Sequence, residues 1–364
     1  MTETDIPRAI HAWQQELGAD NVAFDAATLD RYAQTTQDNA PRPACVLWPT
    51  STEKVQAIVR IAGQCGAALY PISRGKNWGY GDACAPVEGA AIVDLSRMNR
   101  IIEINAELAY AVIQPGVSLQ QLHEHLTQND IPLWIDCTGA GCDASFVGNT
   151  LDRGFGHTRY GDHFLSACGM EIVLADGRVL NTGFTHYANA RAGRVYRYGV
   201  GPSLDGLFCQ SNFGIVTQIG MWLQPVPDRF CFFAIAADRD ESLGALVDRL
   251  RPLRLDGTLT TAIHIGNDLR VFSAKGRYPW AEAGGQTPLP EDLRAVMRKR
   301  QGIGVWNAVG SLSGSAAHVR AAKRALRRAV RGLGRIVFVN DALLALGSIA
   351  ASCLSWTPFG KRLS

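Results

Sequence analysis

The 364-residue sequence has no run of about 18 uninterrupted apolar residues, so it predicts no membrane-spanning helix. Its longest apolar stretch, 343–356, is broken by Ser and Gly. The first residues, Met-Thr-Glu-Thr-Asp-Ile-Pro, carry no basic region leading into an apolar one, so no secretory leader is expected. No Cys-x-x-Cys occurs, and the nine cysteines are odd in number. Buried free thiols in a reducing, cytoplasmic compartment are the reading this favours. His123 and His125 are two apart on a predicted helix and point to different faces, which argues against a zinc site. Charge of one sign is also scarce: a net +3 is too mild to argue for nucleic acid. What remains is 47% hydrophobic and 19% charged, ordinary for a globular chain of two domains or one large one.

Residues 6–34 read as helix, with Ile10, Trp13, Leu17, Leu29 and Tyr32 as the apolar positions. A short strand follows at 44–49, then a helix capped by Thr52 with Val55, Ile58, Val59 and Ala62 inward. Strands are expected at 67–72, 90–95 and 109–114, and Ser118 caps a helix carrying Leu119, Leu122 and Leu126. Strands, glycine turns and single short helices alternate to about Pro227, which is α+β order rather than a doubly wound sheet. From 229 a second pattern begins. It comprises a strand (229–237), a helix (241–253) and strands near 260–265 and 269–273. After a Gly/Pro-rich loop (276–290) come a strand (304–312), a helix (316–332) and a strand (335–340). Two β-α-β units predict an open-faced, ferredoxin-like sandwich.

Three segments stand out. In "YPISRGKNWGYGDACAP" (70–86), Gly75, Gly79 and Gly81 surround Arg74 and Lys76. Closely spaced glycines let backbone N–H groups converge on an anion. The loop runs into Asp-Ala-Cys-Ala-Pro, not a helix, so it is no Walker loop, and the plain alternative is a structural turn. In "TGAGCDASFVGNTLDRGFGHTRYGDHF" (138–164), Gly139, Gly141 and Ala144 fit G-x-G-x-x-A. Gly148, Gly154 and Gly156 interrupt the helix a dinucleotide fingerprint needs, and a Rossmann fold is rejected. The segment also holds Asp143, Asp152, Arg153, His157, Tyr160, Asp162 and His163, more polar groups than a connector needs. In residues 202–227, Ser211-Asn212-Phe213-Gly214 turns into a strongly apolar strand.

Taken together, "PISRGKNWGYG", "GNTLDRGFGHTRYGDHF", "GMEIVLADGRVLNTG" (169–183) and "DGLFCQSNFGIVTQIGMWLQPVP" resemble the flavoproteins of the vanillyl-alcohol oxidase / p-cresol methylhydroxylase (PCMH) family, in order and spacing. "HIGNDLRVFSAKGRYPW" (264–280) resembles the start of that family's cap domain. The resemblance implies an N-terminal helical segment (1–40), a two-lobed PCMH-type FAD-binding domain (41–228) and a partial cap (229–364). It implies that Ser73, Arg74, Gly75, Lys76, Asn77, Trp78, Gly79, Tyr80 and Gly81 wrap the FAD pyrophosphate. Thr138, Ser145, Gly148, Asn149, Gly154 and His157 would line the flavin, with Ile215 and Val216 touching the cofactor near the core. The implied chemistry is hydride removal from a small phenolic or hydroxylated substrate to flavin N5, the cofactor carrying the hard step. Electrons would pass to oxygen or an electron-transfer protein, and a homodimer is the assembly expected.

Tyr80 stands where phenol-oxidising members place a tyrosine that helps ionise the phenol. Asp143 is the nearest match to an acid found beside the flavin in some members, with Asp136 second. His264, at the head of the cap-like segment, completes the catalytic candidates. The loop has Trp78 where relatives with covalent flavin carry a His, so noncovalent FAD is expected. The last residues, "SIAASCLSWTPFGKRLS", resemble nothing in the family, and a Tyr-Arg pair of its phenol oxidisers is missing. The chain therefore reads as a C-terminally truncated member, and the second reading is a truncated, FAD-binding but non-catalytic interaction protein. From Arg294 to Arg335 there is no acidic residue, and 316–332 forms a basic amphipathic helix. A solvated face is the plain reading of it, and docking on an anionic surface the sharper one.

Overall fold

The computed structural model describes residues 4–36, 40–76 and 82–340. The chain divides into two compact units: Met1–Gly156 with Tyr160–Val226, and His157–Arg159 with Pro227–Ser364.

In the first unit, α1 (Ile6–Leu17) starts where the Asp5 side chain accepts from the Arg8 N–H at 3.1 Å, and it buries Ala9, Trp13 and Leu17. Gly18, at φ +88°, ends it, so the predicted single helix over 6–34 is broken. Strand β1 (Val22–Ala23) and a second helix, α2 (Ala26–Tyr32), take up the remainder. After β2 (Cys45–Leu47), helix α3 (Thr52–Cys65) is capped by Ser51, one residue before the predicted cap. Thr52 instead donates to Glu171 Oε1 at 2.8 Å. Strands β3 (Leu69–Ile72) and β4 (Ala91–Asp94) complete a sheet of order β1-β2-β4-β3, parallel apart from β1. Cys45, Leu47, Ala91 and Val93 pack with α1 and α3, while Val46, Ile72 and Ile92 pack with Leu29 and Tyr32 of α2. Both faces are covered, which is why these strands read as unbroken apolar runs.

The second sheet of this unit is antiparallel. β5 (Ile101–Asn105), β6 (Tyr110–Ile113), β8 (Ala167–Leu174), β9 (Val179–Asn181) and β10 (Gly214–Trp222) take the order β5-β6-β10-β8-β9. Between β6 and β8 lie α4 (Leu119–Gln128), β7 (Leu133–Trp134) and α5 (Phe146–Leu151); β11 (Gln224–Pro225) pairs with β7. Leu122 and Leu126 of α4 and Phe146 and Val147 of α5 pack on Ile113, Met170, Ile172 and Ile219. Glu171 accepts from Thr217 Oγ1 at 2.7 Å as well as from Thr52, tying α3 to this sheet.

The second unit has a four-stranded antiparallel sheet of order β13-β14-β12-β15. The chain order is β12 (Arg229–Ala237), α6 (Ser242–Leu255), β13 (His264–Asn267), α7 (Asp268–Lys275), α8 (Glu291–Gln301), β14 (Trp306–Gly314), α9 (Ala316–Val330), β15 (Arg335–Asn340). This is the β-α-β-β-α-β arrangement with α7 and α8 inserted. Leu246 and Leu250 of α6 and Val319, Ala322, Leu326 and Val330 of α9 pack on Cys231, Phe233, Ile235, Ala308 and Leu312. The predicted strand at 269–273 is wrong. Asn267 Oδ1 accepts from the Arg270 N–H at 2.9 Å and starts α7 there. Helix α8 was not predicted, and it brings Arg294 and Arg298 onto Asp268 at 2.8 and 2.7 Å. The basic run is therefore partly neutralised, and Lys323 and Arg327 of α9 lie over the Phe338 ring of β15. The mixed sheets and short helices make the chain α+β, as its segment order predicts.

Among the described residues no helix is long and apolar enough to cross a membrane, and no group of three His, Cys, Asp or Glu could hold a metal. The eight described cysteines are free; Cys137 and Cys142 are exposed and the other six buried.

Candidate functional site

A cavity of about 640 Å³ opens in the first unit where β3 gives way to the glycine loop. Its walls are 70–76, 138–140, 144–145, 148–149 and 151–155, with Asp82 and Gln210. Three turns are locked together around it. Arg74 Nε donates to the Asp143 carbonyl at 2.6 Å and its Nη1 to the Gly116 carbonyl at 3.1 Å. Ser145 Oγ donates to the Pro115 carbonyl at 2.6 Å and accepts from the Gly148 N–H at 3.1 Å, capping α5. Pro115-Gly116 is thus the hub on which the first and second predicted segments meet. Gly116 has no room for a side chain: a Cβ would lie 2.4 Å from the Ser96 carbonyl oxygen.

Glycine is also required where the cavity walls approach each other. Gly75 has φ +61°, and a Cβ there would fall 2.8 Å from the Ala83 Cβ. A Cβ on Gly148 would lie 3.0 Å from Ser73 Oγ, and one on Gly154 would lie 2.2 Å from the Asn149 amide nitrogen. Thr138 Oγ1 accepts from the Ala140 N–H at 3.1 Å and shapes the third turn.

Of the candidates taken from sequence, Ser73, Arg74, Gly75, Lys76, Thr138, Ser145, Gly148, Asn149 and Gly154 line this one cavity. Asn77, Trp78, Gly79, Tyr80 and Gly81 lie outside the described residues. Ile215 and Val216 sit on β10 and are buried in the two cores, away from the cavity lining. Asp143 is exposed and meets the cavity turn through its backbone carbonyl. His157 belongs to the second unit, where its ring lies 4.5 Å from that of His264 on β13. Burial, His157 and Arg270 hold the His264 imidazole below its ordinary pKa.

Sequence reasoning missed Tyr70 and Gln210 as cavity residues, and it marked Asp152 and Arg153 only as part of a polar-rich segment. Asp152 keeps an edge in solvent, yet crowding around its carboxyl pushes it above the usual carboxylate range. Burial, followed by the charges of Asp152 and Cys84, raises the Tyr70 phenol. Arg153, with φ +53°, and Gln210, with φ +51°, both stand at left-handed turn positions. Runs such as Asp-Arg-Gly are compatible with such a turn but do not specify it.

The donor set fits FAD. Backbone approaches without Cβ atoms, the cationic Lys76 and Arg153, and a cavity with both polar and apolar walls suit a long ligand with a diphosphate in the middle.

The family model described as FAD binding domain matches residues 43–183, which includes most of this cavity wall. The chain is 39% identical over 328 residues to the 1'-carboxy-chondrochloren decarboxylase of Chondromyces crocatus, covering 90% of this chain and 61% of that protein. It is 33% identical over 349 residues to the 4-cresol dehydrogenase [hydroxylating] flavoprotein subunit of Pseudomonas putida, covering 94% of this chain and 67% of that one. The 4-ethylphenol oxidase of Gulosibacter chungangensis superposes with a TM-score of 0.86 at 36% identity, covering 93% of this chain and 65% of that structure. The chain thus spans about two thirds of the length of the relatives it matches. With cavity, family match and relatives in agreement, the chain belongs to the vanillyl-alcohol oxidase / p-cresol methylhydroxylase family of FAD-binding flavoproteins.

Proposed function

We propose that this chain acts in the FAD-dependent oxidation of a small phenolic or hydroxylated substrate. The observation that carries the proposal is the glycine-lined cavity of about 640 Å³ in the first unit. FAD, when bound, supplies the acceptor for a hydride at N5. Ser73, Gly75 and Lys76 hold the diphosphate, and Asn77–Gly81 complete that loop on the strength of its sequence. Thr138, Ser145, Gly148, Asn149 and Gly154 hold the flavin end. Arg74 ties the loop to the turns at 116 and 143.

Tyr80 orients and polarises a phenol oxygen. Loss of the phenolic proton makes the para-alkyl carbon a better hydride donor. Asp143 is the other first-unit candidate for moving protons. The FAD is noncovalent, since the loop carries Trp78 in place of a linking His.

Two relatives named for 4-alkylphenols support a phenolic substrate. The relative named as a decarboxylase adds carboxylated phenols to the panel. The test is to purify the chain, record its visible spectrum, and titrate it anaerobically with 4-alkylphenols, carboxylated phenols and non-phenolic alcohols. Yellow protein bleached by phenols supports the proposal, and Tyr80→Phe slows bleaching by phenols alone. Yellow protein that no substrate bleaches defeats the catalytic reading. Acid precipitation releases noncovalent flavin into the supernatant; flavin that stays with the pellet overturns that part.

A further inference from the structure

We propose that Asp136 and His163 are positioning residues that hold the FAD-facing wall in place through Asn149. The inference rests on reading the first-unit cavity as the FAD site. Neither side chain lines that cavity, and both are buried: His163 is 0% exposed and Asp136 4%.

The contacts form a line from core to cavity. Asp136 Oδ1 accepts from the Cys137 N–H at 2.7 Å, which fixes the carboxylate. Its Oδ2 faces His163 Nε2 at 3.4 Å. On the other side of the ring, Nδ1 stands 2.6 Å from Asn149 Oδ1 and is the donor in that hydrogen bond. The ring packs against Phe146, whose centroid is 4.6 Å away at a tilt of 38°. Asn149 then meets the cavity twice. Its backbone carbonyl accepts from the Gly154 N–H at 2.7 Å, and its side-chain amide fills the space a Cβ on Gly154 would need. Gly156 is shaped to the same pair: a Cβ there would lie 2.3 Å from Asp136 Oδ2 and 2.5 Å from His163 Nε2.

An apolar pair would fill this volume without the desolvation that a buried carboxylate and imidazole incur. What the polar pair adds is direction. It sets the Asn149 amide in one orientation, and an amide at a cavity wall with its carbonyl held from behind keeps the 149–154 turn in one conformation. The resemblance offers Asp136, after Asp143, as an acid beside the flavin. Its carboxylate instead faces His163, so the geometry points to support of the site from behind.

The test uses the full chain. Wild type, His163→Phe, His163→Asn and Asp136→Asn are stripped of flavin, and FAD is titrated back. The dissociation constant is read from flavin fluorescence quenching, with the visible circular dichroism of the bound flavin as a second signal. His163→Phe keeps the contact with Phe146 but loses the hydrogen bond. Its FAD dissociation constant is expected to rise about tenfold, and its flavin dichroism to change. The Asn amide nitrogen takes the place of Nδ1 and can still donate to Asn149, so His163→Asn restores most of the affinity, and Asp136→Asn falls between the two. Variants that melt lower but bind FAD with unchanged constant and dichroism overturn the proposal and make the pair structural only. Should His163→Phe not fold, His163→Asn against Asp136→Asn still decides: equal binding by both and wild type overturns it. If wild type itself takes up no FAD, the cavity reading fails first.

Discussion

Ser73 and Gly148 meet so closely that a single methyl group would separate them: a Cβ on Gly148 would stand 3.0 Å from Ser73 Oγ and 3.1 Å from Ser73 Cβ. This is where the end of β3 touches α5, two segments 75 residues apart in sequence. Ala at 148 fits only if the loop gives by a few tenths of an ångström. Gly148→Val cannot fit without moving the loop that begins at Ser73. Overpacking of this kind costs about 1–3 kcal/mol. We expect Gly148→Ala to bind FAD with little change, and Gly148→Val to lose affinity about tenfold or more. Titration of FAD into the stripped proteins measures both.

The resemblance implies that Arg74 wraps the FAD pyrophosphate with the rest of its loop, and its guanidinium is engaged with the Asp143 and Gly116 carbonyls. Its role is to brace three turns, and this separates Arg74 from Lys76. Arg74→Lys keeps the charge yet cannot make the two-pronged contact. It should weaken FAD binding about as much as Arg74→Gln does, roughly five- to tenfold. If charge were what mattered, Lys would rescue and Gln would not. The comparison at two salt concentrations sharpens the result, because loss of a brace leaves the salt dependence unchanged.

The cysteines give a third expectation. Burial pushes Cys45 up to about 12, and Cys168 and Cys209 up to about 11. At pH 8 these thiols are almost wholly protonated, and the thiolate is the reactive form. Cys137 is exposed, but crowding and then the neighbouring Asp136 raise it too. Brief alkylation of the native protein, mapped by mass spectrometry, should label Cys142 first and Cys137 more slowly. Cys45, Cys168 and Cys209 should react only after denaturation. Early labelling of Cys45 would mean that the sheet around it opens readily.

Most of this architecture was legible because local signals and packing agree. Ser118 caps α4 as predicted, and the strand 229–237 has the bounds of β12. The failures lie where a polar residue outweighs an apolar pattern. Leu269-Arg270-Val271-Phe272 reads as a strand, but Asn267 and Asp268 start a helix, and arginines from a later helix fix it there. The same holds at the site. Nine of the residues that the resemblance implies for FAD line the cavity, and the glycines and the capping Ser145 among them have local roles. Gln210 enters the cavity from a distant segment by donating to the Asp152 carbonyl, and nothing local marks it. The resemblance implies that Ile215 and Val216 touch the cofactor, yet alternation on β10 sends one into each core.

Asp268 supplies the clearest link between charge and stability. It is fully buried, caps no cavity, and holds α8 to α7 through Arg294 and Arg298. Burial by itself would raise its carboxyl, but hydrogen bonds from the two arginines outweigh this and leave it below 3.8. The folded chain therefore binds this proton less tightly than the unfolded chain does. Stability from the network is full above about pH 5 and fades as pH falls through 3.8 toward the depressed folded value. Asp268→Asn removes the charge and leaves two arginines facing an amide. Both arginines keep partial contact with water, so the loss should fall below that of a fully enclosed pair, at about 2–3 kcal/mol at pH 7. Urea unfolding, followed by a probe in the second unit such as Trp306, measures the gap between the variant and wild type. That gap should stay constant from pH 7 to pH 5 and narrow below pH 4, because acid protonates wild-type Asp268 and removes the same interaction. A gap that widened on acidification would show that another titrating group, not Asp268, holds these two helices together.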